Sequence, residues 1–283
     1  MRIFVFAAAA TLAIAGCGTG TGPESGSNVG LGFQVARTST ASAATIAASV
    51  TSPDGSPIVG APPVITTSAE GLRVTRDADV ILITRAQLVV RDVRLKSALA
   101  VCNDDDDSTS SIVRADGRNS SDDDDDDCPE LRVGPFLVTL PVNGADGARV
   151  SVPVPAGTYS SVRLSLHKVT SNDSADAVFR QANPDFRDIS VRLEGTYNGV
   201  PFVFVNDVNA KIEVPLPDPL VIGTAGGDVT VSIDFGTWFL RPQGGLYAPA
   251  LANTPGSVRA AIQNNIRRAF HAFRDRNRDG RED

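Results

Sequence analysis

The sequence predicts a mainly β fold, an antiparallel Greek-key sandwich with a C-terminal amphipathic helix. Three observations predict it. Short runs rich in Val, Ile, Leu and Phe alternate apolar with polar residues, as half-buried strands do. Turn formers punctuate those runs, with 25 glycines and 18 prolines in 283 residues. One late run switches to the i, i+3, i+4 spacing of a helix with a single apolar face.

In chain order, the first clear strand is Asp79 to Leu95, dense in Val, Ile and Leu. The next are Phe136 to Val142, Arg149 to Val154 and Val162 to Val169, followed by Ile189 to Tyr197, Pro201 to Asn206, Lys211 to Leu216 and Asp228 to Phe235. Alternation is cleanest at Val162-Arg163-Leu164-Ser165-Leu166-His167. One side is dry and the other wet, which antiparallel sheets allow and parallel ones rarely do. Asn198-Gly199 separates two runs, and both residues tolerate positive φ, so a tight hairpin is expected. Pro155-Ala156-Gly157-Thr158 reads as a type II turn. A short helix, Ala175 to Ala182, is expected before Asn183-Pro184. Ser257 can cap a helix running to about Arg274, with Val258, Ala261, Ile262, Ile266, Ala269, Phe270 and Phe273 on its apolar stripe.

The amino end is different in kind. Met1-Arg2 precedes an apolar run from Ile3 to Ala15, interrupted only by Thr11, and then Gly16-Cys17. A positive start, an apolar stretch of about 7–15 residues and small residues before a cut make a secretory signal, too short to span a bilayer core of about 30 Å. Leu12-Ala13-Ile14-Ala15-Gly16-Cys17 resembles the lipobox of bacterial lipoproteins, which implies a diacylglycerol on the Cys17 sulfur and a further acyl chain on its amine. Each buried CH₂ is worth about 0.8 kcal/mol, so several chains hold where one does not. Gly18 lacks the aspartate that retains enterobacterial lipoproteins at the inner membrane, so an outer-membrane or cell-surface position is favoured. Ordinary cleavage near Ala15, with Cys17 a spare thiol, is the alternative.

The expected organisation is therefore a signal peptide over 1–16, a flexible tether over 17–28, a low-complexity segment or extra strands over 29–71, and a sandwich over 72–253. A helix and acidic tail follow over 254–283. The tether residues have almost nothing apolar to bury and span roughly 20 Å on average.

Net charge is −7, yet eleven aspartates against Arg114 and Arg118 give the 102–128 loop −9, leaving +2 for everything else. The acidity belongs to one loop, and argues mildly against nucleic acid as a partner. With Cys17 assigned to lipid, Cys102 and Cys128 are the natural disulfide of an oxidising compartment, worth roughly 3 kcal/mol on the chain-entropy model. Zinc binding by this pair is the poorer alternative, since no Cys-x-x-Cys spacing or nearby histidine supports it.

Around Val152-Pro153-Val154-Pro155-Ala156-Gly157-Thr158-Tyr159 and Glu194-Gly195-Thr196-Tyr197-Asn198-Gly199-Val200-Pro201-Phe202, with the acidic tail, the chain resembles uncharacterised bacterial lipoproteins that carry a β-sandwich domain of unknown function. The resemblance covers about residues 72–283. It implies an immunoglobulin-like or prealbumin-like sandwich and brings no activity, because the shared motifs are turn chemistry.

Two acidic segments are candidates for divalent cations. The tail Asp275-Arg276-Asn277-Arg278-Asp279-Gly280-Arg281-Glu282-Asp283 follows the calcium-loop pattern, in which Asp275, Asn277 and Asp279 converge when the loop curls and the Arg281 carbonyl adds an oxygen. Asp283 is the ninth position, so the bidentate glutamate of the twelfth is missing and weak affinity is expected. A solvated, frayed tail is the alternative. The second segment is the acidic loop, with Asp104, Asp105, Asp106, Asp107, Asp122, Asp123, Asp124, Asp125, Asp126 and Asp127. Such blocks repel and stay solvated, though carboxylates at this density gather Ca²⁺.

Catalysis finds little support, and no enzyme is expected. The two histidines, His167 and His271, fall on a polar strand face and on the late helix. No nucleophile elbow, metalloprotease helix or phosphate loop is present. Asp188, Glu194, Asp207 and Glu213 show no spacing that singles out a glycosidase pair. Tyr197, Phe202, Phe204 and Trp238 are expected in the core, with an aromatic sugar platform as the alternative. The expected role is a lipid-anchored, non-catalytic binding or scaffolding module of the cell envelope, calcium-assisted, with an unidentified protein or glycan partner. A carbohydrate-binding or adhesion domain comes second, and an envelope hydrolase third.

Overall fold

A computed structural model describes residues 27–36, 61–98, 134–144, 147–154, 156–223, 226–277 and 282. The chain is mainly β, with several antiparallel strand pairs and few helices. Its elements are β1 (Ser27–Val35), β2 (Val64–Ser68), β3 (Gly71–Arg76), β4 (Asp79–Ser97), β5 (Phe136–Leu140), β6 (Ala148–Val154), β7 (Gly157–Leu166), α1 (Ser174–Ala182), β8 (Val191–Tyr197), β9 (Val200–Asn206), β10 (Ala210–Ile222), β11 (Gly227–Ile233), α2 (Phe235–Trp238), α3 (Ser257–Arg267) and β12 (Phe270–Arg274). No described helix is long and apolar enough to cross a membrane.

Two sheets form. The first has four strands in the order β12-β11-β1-β6, with β1 antiparallel to β6 but parallel to β11. The second has eight strands organised around β4, whose 19 residues pair along both edges. One edge takes β3 and then β5, and the other takes β8 and then β7, all antiparallel. The change of partner occurs at Val89. Its N–H donates to Ser190 O at 2.7 Å, while its carbonyl accepts from His167 N at 3.0 Å.

The sheets share one core because their facing sides are predominantly apolar. Val29, Leu31, Phe33 and Val35 of β1, with Val229, Val231 and Ile233 of β11, meet Ile81, Ile83, Leu88, Val90, Leu164 and Leu166 of the larger sheet. Phe33 and Phe136 touch across it edge to face at 6.4 Å. Burying one such side chain stabilises by about 1.5–3 kcal/mol. At one end α2 and α3 add Phe235, Trp238, Ile262 and Ile266, all at 0 % exposure.

Sheet edges are blunted by side chains rather than left open. On β9, Asn253 accepts from Val205 N at 2.8 Å and donates to Val203 O at 2.7 Å, and Pro201 has no N–H to offer. On β10, Pro215, Pro217 and Pro219 stand exposed at alternate positions beside the register shift between Pro215 and Leu220.

Of the two alternatives for 29–71, the described residues show extra strands, β1, β2 and the start of β3, and β1 lies in the same core as the predicted 72–253 unit. Other expectations are corrected. Ser27 and Asn28, assigned to the tether, begin β1. The predicted helix to Arg274 ends at Arg267: Phe270–Arg274 is instead the edge strand β12, paired with β11. Gly256 rather than Ser257 precedes the first turn of α3, without a side-chain cap. Gly157 already belongs to β7. The Asn198-Gly199 hairpin forms as expected, with φ of 50° and 81°. Cys17, Cys102, Cys128 and the aspartates of the 104–127 blocks lie outside the described residues.

Candidate functional site

The densest polar constellation sits where β4 changes partners. Between β7 and β8 the chain leaves the sheet, forms α1 and a 3₁₀ turn (Pro184–Phe186), and returns at Val191. Phe179 and Phe186 pack edge to face at 6.4 Å and, with Val169, cover Val89 in a small apolar cluster of their own. The helix starts because Asp173 caps it, its carboxylate accepting from Ala175 N at 2.7 Å. Three residues on, Asp176 points back at the sheet and is 0 % exposed.

Asp176 accepts from Thr170 N at 2.7 Å and from the Thr170 hydroxyl at 3.4 Å, and its two oxygens lie 2.7 and 2.9 Å from His167 Nε2. Arg91, on β4, reaches both aspartates: Nη2 donates to Asp173 at 2.7 Å and Nη1 lies 3.6 Å from Asp176. The Arg91 hydrogen bond is the chief reason the Asp173 carboxyl is held below its usual range, with the Ala175 N–H adding to it against slight burial. The arrangement fastens the helical excursion to the sheet. A buried, fully paired carboxylate of this kind is costly to unpair.

Asp275, the first residue of the predicted calcium tail, lies elsewhere, on the outer side of the four-stranded sheet. Asp275, just past β12, is 0 % exposed; Thr230 Oγ1 donates to it at 2.8 Å and Arg149 Nη2 lies 3.9 Å away. Arg149 Nη1 is also 3.5 Å from Asp228. Arg149 is on β6 and Asp228 on β11, with β1 between them, and Gly30 and Gly32 form the floor beneath this bridge. A Cβ on Gly30 would fall 2.3 Å from Asp228 Oδ1, and one on Gly32 2.7 Å from Thr230 Oγ1. The first carboxylate of the loop is thus turned into the sheet, toward Thr230 and Arg149. Asn277 is exposed, while Asp279, Arg281 and Asp283 lie outside the described residues. No group of three His, Cys, Asp or Glu suited to a metal occurs among the described residues.

The other sequence candidates are dispersed. Glu194 pairs with Arg192 at 3.0 Å, and Glu213 with Arg163 at 2.8 Å. Asp207 pairs with Arg259 of α3 and with Lys168 at 3.5 Å. Burial would raise Asp207, but Arg259 and Lys168 outweigh it and keep the carboxyl low. Asp188 is exposed at φ 59°. His271 is exposed on β12, opposite Ser232.

Trp238 and Phe204 are fully buried and Phe202 nearly so. Tyr197 donates its hydroxyl to Asp79 at 2.8 Å, in a knot with Leu246 N and Asn198. Burial alone would raise the Asp79 carboxyl, but these donors and Arg241 hold it below its usual range.

Sequence reasoning placed His167 on a polar face and predicted α1, but missed that His167, Asp173 and Asp176 converge on Arg91. The available signal was Asp173 at a helix start with Asp176 one turn on, just past a strand ending in a histidine. No family model, no curated protein and no solved structure matches this chain.

Proposed function

We propose that this chain is a lipid-anchored, non-catalytic module of the bacterial cell envelope, presenting a rigid β body for binding or scaffolding. The observation that supports this most is how the charged side chains are used. Asp176, Asp207, Asp228 and Asp275 each face a cation from another element, so their charge holds the fold in register. A hydrolase needs carboxylates converging on open space. A glycan platform needs exposed aromatic faces, whereas Trp238, Phe202 and Phe204 are spent on the core.

The lipobox-like Leu12 to Cys17 supports the anchor, and the position favoured is the outer membrane or cell surface. A Cys102–Cys128 disulfide would close the acidic loop. We assign the two sheets to the Greek-key sandwich class, immunoglobulin-like or prealbumin-like; in support, β1 sits between β6 and β11, neither its neighbour in sequence. Calcium enters as a weak ligand of the tail or the acidic loop. At the tail, binding through Asp275 has to displace Thr230 and Arg149, and the other oxygens of the pattern would come from Asn277, Asp279, Asp283 and the Arg281 carbonyl.

Expression of the full chain in a bacterium, with mass analysis of the amino-terminal peptide, tests the anchor. A diacylglycerol-bearing Cys17 that Cys17→Ser releases into the soluble fraction is expected. An unmodified Cys17 on a cytosolic product overturns the reading. Titration with calcium tests the ligand: heat that Asp279→Ala removes is expected, and absence of heat eliminates the tail site.

A further inference from the structure

Beside the Val89 cluster, α1 and its flanking turns enclose a shallow concavity of about 360 Å³, lined by Ser171, Ala177, Arg180, Gln181 and Arg187. Two guanidinium groups, a hydroxyl and an amide therefore share one hollow with no carboxylate in its lining. We propose that this hollow binds a phosphate ester, with Arg180 and Arg187 holding the phosphate oxygens.

The charge pattern carries the argument. Acids outnumber bases in this chain, 33 to 26, and Arg85, Arg91, Arg149, Arg163, Arg192 and Arg259 all lie in ion pairs. Arg180 and Arg187 have no ion-pair or hydrogen-bond partner among the described residues. The nearby carboxylates are committed elsewhere, Asp173 to Arg91 and the Ala175 N–H, Asp176 to His167 and Thr170. Asp185 and Asp188 flank Arg187 in sequence but do not line the hollow. Arg180 stands in the last turn of α1, where a cation complements the helix dipole without using its donors.

The ligand class follows from donor geometry. Each guanidinium offers a planar fork that fits two oxygens, so two forks approaching from different directions match the three terminal oxygens of a phosphate monoester better than the two coplanar oxygens of a carboxylate. The hollow is larger than a phosphate ion, which leaves room for the esterified group. The backbone that carries Ala177, Arg180 and Gln181 is held in place before binding, because the Arg91–Asp173–Asp176 fastening and the Phe179–Phe186 contact fix both ends of α1. Preorganisation of this kind lowers the ordering cost of binding.

Isothermal titration of the full chain in detergent, with glycerol 2-phosphate in one arm and monomeric dihexanoyl phosphatidylglycerol in the other, tests the site. Saturable binding in either arm, weakened about tenfold or more by Arg180→Ala with Arg187→Ala, is expected. The arm that binds says whether a soluble ester or a lipid headgroup is preferred. Arg187→Lys, which keeps the charge but loses the fork, is expected to weaken binding at an unchanged melting temperature. Arg85→Ala, far along β4, is expected to leave it unaltered. No saturable heat in either arm, or binding indifferent to the double substitution, overturns the proposal.

Discussion

Asp176 and Asp275 are equally buried, yet they are held in opposite ways. Asp176 takes its partners from its own neighbourhood, Thr170 and His167 lying six and nine residues away, with Arg91 added from β4. Asp275 is held by Thr230, 45 residues distant, and by Arg149 reaching over a glycine floor from the far side of β1. The first carboxylate fastens an excursion to a sheet that is already complete. The second ties the last strand to the others, and depends on space that two glycines leave open.

The largest expected effect tests the first of these. Asp176→Ala leaves Arg91 and His167 facing a void and the Thr170 N–H unmatched, a loss of about 3–5 kcal/mol on removal of one partner from a buried charged network. Urea denaturation followed by tryptophan fluorescence reads this, since Trp238 lies in the main core. A loss below about 1 kcal/mol, at the level of ordinary surface pairs, would mean that the fastening is ornamental and the comparison void.

Gly32→Val tests the second. Its Cβ would sit 2.7 Å from Thr230 Oγ1 and 3.7 Å from Arg149 Nη1. Overpacking at such a site costs about 1–3 kcal/mol despite the better strand propensity of valine. The loss is expected to show first as faster hydrogen exchange in β12. Uniform loosening of the entire fold would instead deny that the bridge serves the last strand in particular.

Acid separates the two regions further. Asp173 has its folded-state carboxyl lowered from the ordinary 3.8, chiefly by Arg91. Its contribution is therefore complete above pH 3.8 and is lost as the pH falls through the lower folded value. Amides of α1 are expected to lose protection in that window before those of β1 and β11, as hydrogen exchange followed by mass spectrometry would record. Simultaneous loss in both regions would sever the link between Asp173 and the helix.

How legible each region was in the sequence follows from the same contrast. β4, β7 and the β8–β9 hairpin were readable because their alternation is local and Asn198-Gly199 can hardly do anything else. β1 hid behind Gly30 and Gly32, whose resemblance to tether residues masked the alternation of Val29, Leu31, Phe33 and Val35. β12 was absorbed into the helix because Ile266, Ala269, Phe270 and Phe273 satisfy helical spacing, and only pairing with β11 decides for a strand. The Asp173 and Asp176 positions were visible as a helix start. No spacing rule, by contrast, joins Arg149, Asp228 and Asp275, because that contact exists only after three strands have found their register.

The smallest effect calibrates the comparison. Arg163 and Glu213 also bridge neighbouring strands, β7 and β10, at 2.8 Å, but the Glu213 side chain is 42 % exposed. Burial would raise its carboxyl, whereas Ser161, Arg163 and Lys96 outweigh that and lower it. Water competes for each of those contacts, so the pair gains little over its solvated parts. Glu213→Gln is accordingly expected to cost about 0.5 kcal/mol or less, and 1 M salt to erase the difference from wild type. If chemical denaturation gave Glu213→Gln a loss as large as that of Asp176→Ala, burial would not be what distinguishes these carboxylates. The outer side of the larger sheet would then be shielded from solvent in the native protein.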